Sequence, residues 1–573
     1  MQLSQLPESA MQYPLREKIG DPGLFVGRAH ELRDFHQWIA GMPRLLSQSR
    51  ALLGRRKSGK TAFVQRLFNQ IWSANGDVIP FYFSVPETFM WYPEFVLLYY
   101  RTFATQYISF RERDPDLLLE PLSMEQIRAY GEAHGIAALV NHVNLIVDDQ
   151  QKGYHGLMWD TAYRAPHRTA DRYDQRILVI IDEFQYLSTN IFAREDLSGD
   201  PIVSMPGSYH EVSESKVAPM LATGSYVGWM VDIMRTYLEA GRLQHINFSP
   251  YLTEEEGLVA VYTYAEALQE PITNETAVQL NTLCKADPFF ISCVMRSNFP
   301  NRDLTTTQGV VEAVNHEVAN RDSYLSRTWE EYIERTVKRI NEKYGKHILL
   351  HLSKHNDRYW TPRELKQALQ LEEDETVIHS KLISLVKGDL LEWGSSDIRF
   401  RGLQDGTLNL ILRHRFEEEI MHHQPNFASD FNAQLAAVAQ ENRSLRGKLS
   451  HIQGQVTEFQ LAVALRSRKR FRLEEFFTGA DDDTPLHLLD VQTRVLLQRA
   501  DGGTKELDIV AQANDARVLL VEVKHRQEPS TEMDVADFLE KVTLYQTQHP
   551  DRTVLPAFLS LGGFTHTALE QCR

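Results

Sequence analysis

Five apolar residues in a row, Ile177-Leu178-Val179-Ile180-Ile181, run directly into Asp182-Glu183. A run without polar alternation predicts a strand buried on both faces of a parallel sheet. Ala51-Leu52-Leu53 and Val78 to Val85 have the same character, and Pro219 to Thr223 and His245 to Phe248 add two shorter runs. Helical spacing fills much of the space between them, over Thr61 to Phe68 and Trp91 to Phe110, and Phe25-Val26-Gly27-Arg28 with Glu31-Leu32 opens a further helix. Alternating strands and helices predict an α/β core. From Thr253, which caps a helix, to about residue 330 the pattern becomes helical and reads as a lid. Two stretches interrupt the alternation. Residues 111–175 are mixed and polar, and 188–216 are rich in Ser, Pro, Gly and Asp; both read as insertions, the second as irregular loop.

Beyond a linking helix over 331–345, the pattern changes. Ile348 to Leu352, the Thr361-Pro362 start with its N-cap and first-turn proline, and Ile378 to Lys387 predict three helices. Leu391-Glu392-Trp393, a turn at 394–397 and Ile398 to Arg401 predict a hairpin. Three helices and a hairpin describe a winged helix-turn-helix. Its third helix carries His379, Lys381 and Lys387, and its wing carries Arg399 and Arg401. Two readings stay open: a helix in the DNA major groove with a basic wing on phosphate, or an interdomain packing module. The expected organisation is an arm (1–24), a core (25–252), a lid (253–330), a winged helix (331–424), a helical linker (425–450) and a C-terminal α/β domain (451–573).

The chemistry starts where the first strand ends. Gly54-Arg55-Arg56-Lys57-Ser58-Gly59-Lys60-Thr61 fits the phosphate-loop pattern without a mismatch, between a strand and a helix as the pattern requires. Backbone N–H groups around Gly54, Lys57, Ser58 and Gly59 would curl around phosphate oxygens, helped by the positive helix end. Lys60 would reach the β- and γ-phosphates of ATP, and Thr61 would hold Mg²⁺. Asp182, at the end of the apolar strand, would hold the hydration shell of that Mg²⁺, and Glu183 would activate the attacking water. Thr223 and Ser225, at the next strand end, are candidates to touch the γ-phosphate or that water.

A second constellation lies near the C-terminus. Leu507 to Val510 and Val518 to Lys524 read as neighbouring strands. Glu522 and Lys524 share a face because side chains alternate along a strand. Asp508 can meet Glu522 across the pair. Two carboxylates and a backbone carbonyl suit Mg²⁺ or Mn²⁺. Lys524 would position a water and offset developing charge. Glu458, in a helix over Gln455 to Leu465, is a candidate to complete the shell. The helix Asp537 to Gln546, with Lys541 and Tyr545, would pack beside this pair and touch DNA phosphate. The basic block Arg466 to Arg472 reads as a solvated face or a further DNA contact.

Composition narrows the field. A net charge of −16 over 573 residues argues against a surface that is basic throughout, though not against a local basic groove. Cys284, Cys293 and Cys572 show no metal spacing or disulfide framework, which fits a reducing cytoplasm. No apolar stretch is long enough for a bilayer, and Met1-Gln2-Leu3-Ser4 opens no signal-peptide pattern.

Taken together, Phe25-Val26-Gly27-Arg28, the phosphate loop, Ile181-Asp182-Glu183-Phe184-Gln185, Thr223-Gly224-Ser225 and Gly241-Arg242 resemble the archaeal-type ATPases of the signal-transduction (STAND) branch of the AAA+ class. Glu458, Asp508 and Glu522-Val523-Lys524 resemble the PD-(D/E)XK nucleases, over about 450–573. The resemblance implies an AAA+-like parallel sheet with a helical lid, a winged helix, and a restriction-endonuclease-like domain. It places Arg28 near the nucleotide base. It makes Arg242 a candidate for the charge-neutralising arginine, in cis or in trans, with Arg235 and Arg296 as competitors. The implied activity is an ATP-hydrolysing switch coupled to a metal-dependent DNA nuclease in prokaryotic defence, with a homo-oligomer or partner protein expected and no membrane. A DNA-binding regulator and a remodelling motor are the alternatives.

Overall fold

The computed structural model describes residues 10–238, 241–300, 302–339, 344–394, 398–404, 406–421, 432, 435, 457–480, 484–499, 502–526 and 528–572. Most of the expected linker 425–450, part of the hairpin turn at 394–397, and Gln455 and Val456 lie outside them. The chain divides into two units, the first spanning Gln12–Leu435 and the second Ala436–Arg573.

The first unit is built on β1 (Arg50–Leu53), β2 (Val78–Ser84), β4 (Arg176–Asp182), β6 (Met220–Gly224) and β7 (Gln244–Asn247), with a two-stranded accessory of β3 (Met90–Trp91) and β5 (Ile191–Phe192). The five-stranded sheet runs β2-β4-β6-β1-β7 and is parallel throughout. The apolar runs are strands because both faces are covered. Leu52, Leu178, Ile180 and Leu221 are fully buried against helices. Register brings the C-terminal ends of three strands level: Leu53 pairs with Gly224, and Ile181 with Ala222.

Helices α1 (Ala29–Ala40), α2 (Lys60–Ala74), α3 (Tyr92–Glu112), α4 (Met124–Ala133), α5 (Ala137–Lys152) and α6 (His155–Arg172) pack around this sheet. The last three correct the reading of 111–175 as a polar insertion. Leu139, Val143, Ile146, Met158 and Ala162 are spaced at helical intervals and buried in the main core. The expected arm is also more than a linker. Leu15 and Lys18 donate backbone N–H groups to Asn69 and Gln65 of α2, and the Glu17 carboxylate receives both Arg66 and Asn69. The 188–216 stretch is irregular, as expected, but Tyr209 within it is fully buried.

The lid begins at Thr253, whose side chain forms a capping box with Glu256. Further on, helices Gly345–Lys354, Pro362–Leu369 and Glu375–Lys387 precede a hairpin of β8 (Leu391–Trp393) and β9 (Phe400–Gly402), as the pattern predicts. The third of these helices is not laid open. A Cβ on Gly228 would lie 2.5 Å from the Val386 carbonyl oxygen, so that helix abuts the helix Val227–Ile233 of the core. Lys381 is buried on Glu373 at 2.7 Å, Lys387 pairs with Asp232 at 2.9 Å, and Arg401 with Glu392 at 2.7 Å. Three of the five basic groups considered for DNA are therefore held by carboxylates, which favours the packing reading.

The second unit is a mixed sheet ordered β10 (Arg470–Phe471), β11 (Leu486–Gln498), β12 (Thr504–Ala513), β13 (Arg517–Lys524) and β14 (Thr553–Ser560). Its strands are antiparallel except for β13 with β14. Strand β13 is interior, and its residues alternate between two cores. Leu519, Val521 and Val523 face a helix over 457–468 through Ala462 and Leu465. Val518 and Leu520 face the helix Glu532–Gln548 through Phe538 and Tyr545. Among the described residues no helix is long and apolar enough to cross a membrane.

Candidate functional sites

The phosphate loop joins the end of β1 to the start of α2, with two backbone features that its sequence requires. Gly59 lies at φ +90°, and a Cβ on Gly54 would stand 2.6 Å from the Phe248 carbonyl oxygen. Lys57 also takes a left-handed conformation at φ 63°. The Lys60 ammonium folds back over the loop, donating to the carbonyls of Gly54 at 2.5 Å and Arg55 at 2.8 Å, and to Ser58 Oγ at 3.3 Å. Burial pulls its pKa down to about 8, with the charges of Glu183 and Asp182 acting in the opposite direction. A triphosphate offers that ammonium the anionic partners a buried cation needs. Thr61 stands in the first turn of α2, next to Lys60.

Asp182 is buried at the end of β4, one step beyond the Ile181–Ala222 pairing, and so stands opposite Thr223. Thr223 Oγ1 donates to its Oδ1, and Tyr82 donates to Oδ2 at 3.0 Å. Glu183 takes the left-handed conformation at φ 57°, which turns its side chain off the strand line. Ser225 Oγ and Gln185 Nε2 donate to its two carboxylate oxygens, each at 2.5 Å. Burial and the neighbouring Asp182 raise the pKa of Glu183, which makes it a better proton acceptor when ionised. The structure thus brings together Lys60, Asp182, Glu183, Thr223 and Ser225.

Arg28 supports the loop from below. Its guanidinium donates to the carbonyls of Ser58, Tyr251 and Pro250, pairs with Glu31 at 3.0 Å, and stacks on Phe248. Its head is committed to protein groups, so it holds loop geometry in place. Arg242 is not brought to the site within this chain. It precedes β7, whose residues Gln244 and Asn247 pair with Arg50 and Leu53 of β1, so it lies at the opposite end of the sheet from the phosphate loop. Its guanidinium is held by Glu214 at 2.9 Å and the His210 carbonyl. The reading of Arg242 as a cis arginine is corrected accordingly. Arg296 is exposed at the end of the helix Pro288–Met295.

Sequence reasoning overlooked Arg55, the second residue of the loop. Its Nη2 pairs at 2.5 Å with Asp287, which is completely buried, and its guanidinium stacks on Trp329. Lys57 lies over Phe289. Asp287 also caps the helix Pro288–Met295, accepting from the N–H groups of Phe289 and Phe290. Two loop residues are therefore gripped by the lid. Arg55 also lines a cavity of about 750 Å³, together with Tyr251, Val231, Asp389, Trp393 and Leu408. Asp389 accepts from the backbone N–H groups of Val227 and Gly228, just after the Ser225 strand end. The signal available in sequence was Ala286-Asp287-Pro288, an N-cap followed by a first-turn proline.

The Arg55–Asp287 pair sets a measurable cost. Asp287→Ala strands a buried guanidinium and removes a helix cap, so we expect a loss of about 3–5 kcal/mol in the urea stability of the first unit. Asp287→Asn, which keeps an oxygen for the cap, should fall between the two.

In the second unit, Asp508 follows the Ile509–Val521 pairing outward and stands opposite Glu522. Asp508 Oδ2 accepts from the Val523 N–H at 2.7 Å, and Lys524 Nζ donates to Glu522 Oε1 at 2.7 Å. Burial and the charge of Glu522 raise Asp508 to about 6. Burial is the largest single influence on Lys524 and acts to lower its pKa, but the hydrogen bond to Glu522 and the charges of Glu522, Asp508 and Asp534 together outweigh it, and the net shift is upward. Asp508, Glu522 and Lys524 meet as the strand pattern predicts. Glu458 is drawn near but not in. Burial and the charge of Asp508 raise it to about 7, yet among the described residues no three His, Cys, Asp or Glu side chains converge as a cation would need. Its helix, over 457–468, packs on the face carrying Leu519, Val521 and Val523, whereas Glu522 alternates to the other face. Two carboxylates and a strand carbonyl remain as hard oxygen donors for Mg²⁺ or Mn²⁺, so the donor chemistry fits the ion although Glu458 does not join it. In the basic block, Arg466 donates to the Val491 carbonyl, Arg468 pairs with Glu475, and Arg472 pairs with Glu474, which is the behaviour of a structural, solvated face.

No family model matches the sequence, and no curated protein matches it. Solved structures do. The chain is similar to the Walker-type ATPase paby2304 of Pyrococcus abyssi at 12% identity, with a TM-score of 0.46 over 71% of this chain and 99% of that one. It is similar to the ORC2 protein of Aeropyrum pernix, in its ADPNP–ADP complexes, at 14% identity, with a TM-score of 0.36 over 70% and 99%. It is also similar to the RuvB Holliday junction branch migration motor of Thermotoga maritima at 11% identity, with a TM-score of 0.29 over 72% and 100%. With TM-scores below 0.5, what the two sites can do rests on their own geometry.

Proposed function

We propose that the chain is an ATP-hydrolysing switch joined to a metal-dependent DNA nuclease. One observation carries the reading: each unit places a lysine beside carboxylates at a strand end, twice in arrangements suited to phosphoryl oxygen. In the first unit, Lys60 and the loop N–H groups bind the β- and γ-phosphates. Asp182 and Thr61 are the residues that would hold Mg²⁺, whose charge neutralises the phosphates when bound. Glu183 takes a proton from the attacking water once one of its oxygens is released by Ser225 or Gln185. Arg55 and Lys57 transmit loop occupancy to the lid through Asp287, Phe289 and Trp329, and the lid is continuous in sequence with the three-helix-and-hairpin module. Arg242, held away from the loop of its own chain, is left with a role in trans, in a homo-oligomer.

In the second unit, Asp508 and Glu522 would hold Mg²⁺ or Mn²⁺, which supplies an acidified water and polarises the scissile phosphate when bound. Lys524 orients that water and offsets charge on the departing oxygen. The work of such a pair suits defence against foreign DNA, with ATP as the gate. The test is plasmid incubated with the full chain and Mg²⁺ or Mn²⁺, with and without ATP. Nicking or linearisation that depends on both is expected. Salt-sensitive DNA binding with intact plasmid throughout would instead establish an ATP-dependent DNA-binding regulator.

A further inference from the structure

Lys541 was expected to reach DNA phosphate. It is instead buried, with its Nζ 2.7 Å from Glu522 Oε1 and 2.8 Å from Oε2. An ammonium nearly equidistant from both oxygens sits on the bisector of the carboxylate, in the chelating bite that a cation would use. Lys524 adds a second ammonium to Oε1. Glu522 is itself almost completely buried, so both charges act on it with little screening by water. Every accepting direction on the bite side of Glu522 is thus satisfied from within the protein.

The position of Lys541 is imposed by the fold. The helix Glu532–Gln548 starts with a capping box between Thr531 and Asp534. Phe538 and Tyr545 anchor it to Val518 and Leu520, the residues that share a sheet face with Glu522. Lys541 lies three residues after one anchor and four before the other, on the same helix face. A second partner waits beside it: Asp537, one turn earlier, has Oδ2 at 3.6 Å from Lys541 Nζ. The ammonium can therefore leave Glu522 by a side-chain rotation and remain paired.

We infer that Lys541 is a positioning residue that acts as a resident counter-cation for Glu522, holding the carboxylate in place and yielding it to the divalent ion by moving to Asp537. This rests on the metal reading of Asp508 and Glu522. Ion binding is then an exchange of one cation for another at a carboxylate that is never left buried and unpaired. Lys524 stays, because it contacts one oxygen only, while Lys541 spans both.

The test is Mn²⁺ binding to the nucleotide-free full chain, by calorimetry and by loss of the free Mn²⁺ electron-spin-resonance signal, with no DNA present. A latch closed in about nine molecules of ten weakens apparent affinity about tenfold, so Lys541→Met should bind Mn²⁺ about tenfold more tightly than wild type. Lys541→Gln, whose neutral amide can still donate, should fall between them. A merely structural role predicts weaker binding on substitution. Arg468→Met controls for general charge, since Arg468 is an exposed cation of the same unit that pairs with Glu475; it should leave the affinity within about twofold. Unchanged or weaker binding by both Lys541 variants, or equal tightening by Arg468→Met, overturns the inference alone. Wild-type binding that survives Glu522→Gln overturns the metal reading and the inference with it.

Discussion

Glu183→Gln is expected to retain ATP and to hydrolyse it about 10²- to 10⁴-fold more slowly, the usual worth of a positioned general base. The substitution conserves shape, and Ser225 and Gln185 can still contact the side-chain amide group. What it removes is the basicity that burial and Asp182 raise. Lys60→Ala should fail one step earlier. Its ammonium supplies charge-assisted hydrogen bonds to phosphate, each worth about 1.5–3 kcal/mol, so nucleotide affinity should drop about 10- to 100-fold or more. Fluorescent-nucleotide titration and phosphate release separate the two: bound and inactive for Glu183→Gln, unbound for Lys60→Ala. Should Glu183→Gln turn over normally, the base lies elsewhere, and the two short contacts on Glu183 are structural.

The two sites were legible for different reasons. The phosphate loop and Asp182-Glu183 were readable because each depends on contiguous residues: a loop whose glycines meet a fixed steric demand, and a buried strand whose apolar run ends where its sheet opens. Asp508, Glu522 and Lys524 were readable because strand alternation converts spacing into a shared face. Residues brought together by packing between distant segments were not readable. Asp287 meets Arg55 across more than two hundred residues, and Asp389 caps the helix after Ser225 across more than a hundred and sixty. Neither has a local pattern that names its partner. The 111–175 stretch was misread because its helices carry abundant surface charge, although their buried positions recur at helical spacing. Glu458 is read from its order along the chain; the structure brings it within electrostatic reach of Asp508 and Glu522, but among the described residues no three acidic side chains close on a cation. Arg242 was placed by resemblance, and the parallel register of β7 puts it at the wrong end of the sheet. The basic residues of the three-helix module look available in a sequence because charge is visible there and pairing is not.

Lys524→Ala is expected to reduce plasmid cleavage about 10²- to 10³-fold, the range for removing one preorganised group that stabilises developing negative charge. Affinity for DNA and for Mn²⁺ should change little by comparison. The ammonium touches Glu522 at a single oxygen, and Lys541 remains on both, so the carboxylate stays paired after the substitution. That redundancy makes the variant informative: its fold and its acidic pair should survive, and the loss should fall on the chemical step. Single-turnover cleavage at saturating Mn²⁺, with gel-shift binding of the same DNA in parallel, reads the two separately. Cutting at the wild-type rate would remove Lys524 from the reaction and leave Lys541 as the remaining ammonium beside the carboxylates. A parallel loss of binding and cutting would mean that Lys524 holds the backbone rather than the water, and that the charge on the departing oxygen is offset by another group.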